Sequence, residues 1–360
     1  MKTVKFTTTD ANQKQFGAAV RKNVNAYFKE NGISNKGNSI MYTKTVVILC
    51  MYIIPFVLIL AMPMGVWPAL LLVVLMGIGE AGLGMSVMHD AAHGAYSSKR
   101  WVNSLFASTM YLMGSNTLNW KIQHNILHHT FTNIYEFDQD IETKAVIRLS
   151  YHAPIKKYHR FQYIYAFLFY GLMTIFRLLT DVFQLLKYDK AGITKEQQVK
   201  LSTEIIKLMA TKVIYLFATI GLPLLLTDFT VGQVILGFVI LQLTAGIIMS
   251  VVFQMAHVVE GMEQPIPNDA GTIENDWMVH ELNTTANFAQ QNRLLSWYVG
   301  GLNFQIEHHF FPNTCHVHYP KIAPIVQKTA EEFGYTYTVM PTLWDAFLSH
   351  VKSLKALGRK

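Results

Sequence analysis

Eight of the fourteen histidines fall into four short strings. They are His89 and His93 in His89-Asp90-Ala91-Ala92-His93, then His124, His128 and His129 in His124-Asn125-Ile126-Leu127-His128-His129. His257 follows Gln254-Met255-Ala256, and His308 and His309 close Gln305-Ile306-Glu307-His308-His309. Neutral imidazole is the commonest protein metal ligand. An i, i+4 pair such as His89 and His93 places both rings on one face of a helix. On the same wheel His124 and His128 lie about 40° apart, with His129 about another 100° around. The helix is therefore expected to present His124 and His128 to one ion and His129 to a second. Taken singly each string has an ordinary structural explanation, but together they lack any other shared reason. Structural zinc takes four ligands and catalytic zinc three plus water, so eight imidazoles suit two ions with about four ligands each. His152, His159, His280 and His350 lack the pattern and are read as solvated, while His316 and His318 are candidates for outer partners of the ligands.

The elements that must position these rings are apolar and long. Hydrophobic residues make up 51% of the 360 and charged residues only 15%, with a mean hydropathy of +0.23. These values describe an integral membrane protein. The net charge of +7 belongs beside anionic lipid rather than nucleic acid. Four spans are expected at about 45–62, 66–88, 205–226 and 231–258, each near the length that crosses about 30 Å of hydrocarbon. The hairpins between them, Met62-Pro63-Met64-Gly65 and Asp228-Phe229-Thr230, carry no Lys or Arg. By the positive-inside rule both termini and the large polar segments are cytoplasmic. The expected fold is all-α: four transmembrane helices in two hairpins, with a cytoplasmic helical cap carrying a histidine-rich di-metal site.

Residues 1–40 read as an amphipathic N-terminal arm, 41–340 as the membrane domain and 341–360 as a basic C-terminal tail. Segments 101–118 and 161–187 are apolar but interrupted, and suit helices lying in the interface. Cys50 and Cys315 form no disulfide framework or C-x-x-C site. No secretory signal peptide and no His-Pro-Gly-Gly haem signature is found, so a redox partner is expected to be a separate protein. Glu80 lies inside the second span, about 13.5 Å along the helix from His89 and on its opposite side. It is expected to be paired or hydrogen-bonded in a structural role, with a contribution to a substrate channel as the alternative. Lys121, Lys156, Lys157 and Arg160 read as ordinary cytoplasmic-side cations, with a lipid or CoA headgroup as their other use.

Imidazole alone does not choose among iron, zinc, copper and nickel. A site at the mouth of a bilayer suits attack on lipid chains, whose unactivated C–H bonds require O2 chemistry that zinc cannot perform. That logic favours iron. The three boxes, His89 to His93, His124 to His129 and Gln305 to His309, together with Phe310-Phe311-Pro312, resemble those of integral-membrane fatty acid desaturases. The glutamine opening the third box resembles the front-end group that includes Δ5 and Δ6 desaturases. The resemblance implies a di-iron enzyme that uses O2 and two electrons to place a cis double bond in an acyl-CoA or acyl-lipid. It implies that the eight histidines are iron ligands and that Gln305 is a ligand or lies near one. Electrons would come from ferredoxin or a free cytochrome b5, and the location would be a bacterial inner membrane, or the endoplasmic reticulum in a eukaryote. A di-iron lipid hydroxylase or ketolase uses similar boxes and remains open. A zinc-dependent protease or metal carrier is disfavoured, because Asp90 stands where H-E-x-x-H needs its glutamate and six histidines would go unexplained.

Overall fold

The computed structural model describes residues 4–142 and 146–359. Met1–Thr3 of the N-terminal arm and Lys360 of the expected tail lie outside them. Four helices are long and apolar enough to cross a membrane: α2 (Ser39–Ala61), α3 (Val66–Ala92), α8 (Leu201–Leu226) and α9 (Val231–His257). Side chains such as Val46, Ile53, Ile54, Leu71, Val213 and Leu225 face outward, as expected where the surroundings are hydrocarbon rather than water. α3 packs between α2 and α9, and its last three turns are the most enclosed part of the spans.

Helices outside the spans build the cap. α1 (Ala11–Glu30) begins at Asp10, whose carboxylate accepts from Asn12 N–H, the usual N-cap arrangement. It buries Phe16, Val20 and Val24 against α13 (Tyr319–Glu332), so the arm docks on the protein. α4 (Arg100–Ala107) and α5 (117–131) follow the second span. α6 (Lys157–Gly171) and α7 (Met173–Lys190) meet at a 68° bend. By length and composition the pair counts as one broken span or as a re-entrant loop, where helices lying in the interface were expected. α7 is two-faced: Phe176, Leu179, Phe183 and Leu186 are exposed, while Leu178, Asp181, Leu185 and Tyr188 are buried. The α6–α7 bend meets α9 closely, since a Cβ on Gly246 would stand 2.3 Å from Gly171 O; only glycine allows this crossing.

Beyond the fourth span come α10 (Trp277–Thr284), α11 (Arg293–Tyr298), α12 (Gln305–Phe310), α13 and α14 (Leu343–Leu357). Two short parallel pairings tie distant segments: Lys5–Phe6 with Thr272–Ile273, and Asn287–Phe288 with Val339–Met340. The segment read as a basic tail is the docked helix α14. Thr342 and Asp345 form its capping box, and Ala346, His350 and Leu354 are buried at the spacing of one helical face.

Candidate metal centre and acyl cavity

All eight candidate histidines are buried in one region. The second span delivers His89 and His93, α5 delivers His124, His128 and His129, the end of the fourth span delivers His257, and α12 delivers His308 and His309. The rings fall into two groups. Ligand atoms of His89, His93, His124 and His308 lie within 4.8 Å of one another, and so do those of His128, His257 and His309. His89 Nε2 is 3.2 Å from His124 Nε2, and His129 Nε2 is 3.3 Å from the same atom. These sets hold four and three rings, with His129 in neither, where an even four and four was anticipated from ligand number.

The winding of α5 departs from the regular helix assumed in that wheel. Residues Lys121–His128 are wound as a π-helix, in which His129 N–H donates to His124 O, five residues back. The wider turn aligns i with i+5 and brings His129 to His124 without parting His124 from His128, since ligand atoms of His124, His128 and Asp140 also lie within 4.8 Å of one another. The His124 and His128 rings stack at 5.3 Å, with their Nδ1 atoms 3.9 and 3.7 Å from Asp140 Oδ2. The His128 ring packs against His257 and His309 at 4.8 and 5.0 Å. The His129 ring lies 4.5 Å from both His308 and His309 and so stands between the groups. A second π-helical turn, Leu83–Met88, immediately precedes His89.

The outer partners orient the rings. His128 Nδ1 donates to Asp138 Oδ2 at 3.0 Å, and the same oxygen accepts from Asn133 N–H. His309 Nδ1 lies 2.6 Å from Glu281 Oε2, and His257 Nδ1 faces Thr284 O at 3.3 Å. Each of these bonds leaves Nε2 free. His93, His128, His257, His308 and His309 all carry a buried Nε2 with no hydrogen-bond partner among the described residues. Buried nitrogens left without protein partners and converging in two groups fit metal ions, because an unsatisfied buried polar atom is otherwise costly. Burial holds His124, His129, His308 and His309 well below the usual imidazole range, which keeps them in the neutral, ligating form. His128 is the exception. Burial alone would lower it, but Asp138, Asp140 and Glu281 raise it to about 9, so this ring favours positive charge, whether a proton or a coordinated cation.

Several residues of the site carry no signal of their own in the sequence. Asp138 and Asp140 could have been suspected from their place ten and twelve residues after His128, but Glu281 sits in an unremarkable segment. Asp90, beside His89, is taken by His316, whose Nδ1 donates to Asp90 Oδ2 at 2.8 Å and whose backbone N–H approaches the same oxygen at 3.2 Å. His318 instead reaches Lys36 O at 2.9 Å. Gln305 is fully buried, with both amide atoms unpartnered among the described residues. Of the histidines read as solvated, only His152 is exposed. His159, His280 and His350 are buried, and His350 is held between Tyr170 OH and Val258 O at 3.0 and 2.7 Å. Glu80 is also fully buried, but neither carboxyl oxygen has a hydrogen-bond partner among the described residues, contrary to the expected pairing.

A cavity of about 480 Å³ runs alongside the first group, with His89 and His124 in its wall. Its polar end carries Gln123, Asp140, Arg177 and Gln184; its apolar end is lined by Met85, Met110, Met113 and Met249. One wall is α7, which turns Thr174, Phe176, Arg177, Asp181 and Gln184 to the cavity while Leu179, Phe183 and Leu186 stay exposed and apolar. Gln184 Nε2 and Tyr188 OH both donate to Gln139 Oε1, joining α7 to the segment after α5. Asp181 joins it to α8 through Lys212 Nζ at 3.4 Å and accepts from Ser115 OH at 2.6 Å. A mainly apolar slot with several methionines and a few polar groups, beside a buried histidine cluster, suits a long alkyl chain carried on a polar head.

The model of the family described as fatty acid desaturase matches residues 65–341. The chain is 34% identical to an sn-1 linoleoyl-lipid 6-desaturase of Synechocystis sp. over 99% of its own length and 98% of the relative's. It is also 34% identical to the sn-1 linoleoyl-lipid 6-desaturase of Arthrospira platensis, covering 95% and 92%. An acyl-lipid (8-3)-desaturase of Physcomitrium patens is 33% identical over 97% of this chain and 73% of the relative. With the histidine groups, the four apolar helices and a slot for an alkyl chain already in place, these likenesses carry one conclusion: the chain belongs to the fatty acid desaturase family.

Proposed function

We propose that this desaturase acts on acyl chains of membrane lipids, with iron held by His89, His93, His124, His129 and His308 in one group and by His128, His257 and His309 in the other. The observation that carries the reading is the cavity of about 480 Å³ with His89 and His124 in its wall. The relatives named above act on acyl-lipids, and the exposed apolar side of α7 favours entry of the chain from the bilayer over delivery as a soluble thioester. Bound iron would supply activation of O2. The overall change is R–CH2–CH2–R′ + O2 + 2 e⁻ + 2 H⁺ → R–CH=CH–R′ + 2 H2O, with the electrons from a separate donor such as ferredoxin or cytochrome b5.

The protein's own residues bind and aim. The methionine end receives the chain, the polar end of α7 holds the head, and the enclosed walls keep water from the reacting carbons. Asp138 and Glu281 fix the rings of His128 and His309, and Gln305, with both amide atoms buried and unpartnered among the described residues, serves as a ligand or a near neighbour of one. The four spans run with both termini and the histidine cap on the cytoplasmic side, in keeping with hairpins that lack Lys and Arg.

Expression in a host of defined lipid composition tests the reaction, and metal analysis of the purified chain tests the centre. The expected results are a new cis double bond and about two irons per chain. Hydroxylated chains without a new double bond would replace desaturation by hydroxylation. Stoichiometric zinc without iron would refute the centre.

A further inference from the structure

Away from the acyl cavity, a second cavity of about 620 Å³ opens between the start of α2, α11 and the start of α13. Every ionisable group lining it is basic: Lys44, Arg293, His316 and Lys321, with no carboxylate among the lining residues. Arg293 and Lys321 are exposed at its rim, whereas Lys44 is 1% exposed. The Lys44 ammonium donates to His316 Nε2 at 2.5 Å and lies over the Trp297 ring at 5.4 Å. An ammonium has three N–H donors, and no other acceptor for Lys44 occurs among the described residues. Two N–H donors of a buried side chain therefore remain unpartnered in a cavity with no acid in its lining, the nearest carboxylate, Asp90, being engaged behind His316; unmade hydrogen bonds of this kind are costly.

We propose that this cavity binds the phosphate of an anionic phospholipid. It opens within the first two turns of a membrane span, beside Ile40 and Leu294, which are 54% and 77% exposed. That is the level at which hydrocarbon gives way to headgroups, so a lipid can place its phosphate among Lys44, Arg293 and Lys321 while its chains lie along α2. Its size falls within the range of small-ligand sites. Hydrogen bonds run inward from Lys44 to His316 and from His316 to Asp90, whose Oδ1 lies 3.8 Å from His89 Nδ1.

Native mass spectrometry of the full chain in detergent, titrated with phosphatidylglycerol, phosphatidylcholine or inorganic phosphate, tests this without reference to activity. The wild type is expected to retain one phosphatidylglycerol in preference to phosphatidylcholine. Arg293→Gln with Lys321→Gln should weaken that retention by about 30-fold, from about 1 kcal/mol for each cation near a lipid surface. The charge-matched pair Lys328→Gln with Lys352→Gln, both on exposed side chains, should leave it unchanged. Displacement of the lipid by inorganic phosphate would support the phosphate as the recognised group. Binding of inorganic phosphate with no preference between the two lipids would overturn the lipid source. Equal retention of both lipids without phosphate binding, or equal loss in both variant pairs, would overturn the site.

Discussion

Gly84→Ala should shorten the acyl chain that the enzyme accepts. Gly84 lies in the π-helical turn Leu83–Met88 and lines the cavity. It stands five residues before His89, about 7 Å deeper along the span, while Met249 stands eight residues before His257, about 12 Å deeper. Its φ is not positive, so alanine adds no backbone strain and is favoured in a helix by about 1 kcal/mol. A Cβ there would stand 2.9 Å from both Met113 Cε and Met249 Sδ, well inside ordinary carbon contact at about 3.5–4.0 Å. Both contacts are the far ends of flexible side chains, so the methionines yield and the apolar end of the cavity loses room for about one methylene. A methylene in a hydrophobic pocket changes kcat/KM by about 10–200-fold, or about 1–3 kcal/mol. The ratio of kcat/KM for the longest accepted chain to that for a chain two carbons shorter should therefore fall by at least about 10-fold. Gas chromatography of products from mixed-length lipids in one membrane measures that ratio directly. An unchanged ratio, or an equal loss at every length, would refute the assignment of Gly84, Met113 and Met249 as the channel floor.

His257→Ala leaves the second group with two imidazoles, so bound iron should fall from about two per chain to about one, read by plasma emission spectroscopy. Asp138→Asn keeps the shape but weakens the hold on His128 Nδ1; metal affinity at that group should drop by about 10–100-fold in a competition titration with a chelator. Lys212→Met strips the cation from Asp181, which is 4% exposed and keeps only the Ser115 hydroxyl on the same oxygen. The loss should be about 3–5 kcal/mol, seen as a lowered midpoint of thermal unfolding in detergent, and Asp181→Asn combined with it should recover part of that loss.

The histidine strings and apolar spans were legible because both are local. A run of about twenty apolar residues declares a span without its partners, and an i, i+4 pair declares a shared face if the helix is regular. That condition fails at His124, where π-helical winding brings His129 alongside it as well as His128. No residue type forces such a turn, and it becomes visible only when the backbone of the packed site is built. The burial of His159, His280 and His350 was missed for a similar reason, since a lone histidine reveals nothing about what packs over it. The docking of α14 was partly readable, in the helical spacing of Ala346, His350 and Leu354 behind the Thr342 cap.

By itself the sequence determined the chemistry available: eight imidazoles at span ends, four hydrocarbon-length helices and a basic polar cap. Tertiary structure alone decided how that chemistry is divided. The grouping of the rings and the methionine-floored slot beside His89 arise where segments more than a hundred residues apart meet, and Asp138 and Glu281 reach their rings from ten and 28 residues away along the chain. The physical reason is range: helix propensity and hydropathy act over a few turns, whereas ligand geometry and cavity shape depend on which distant side chains close-packing brings together.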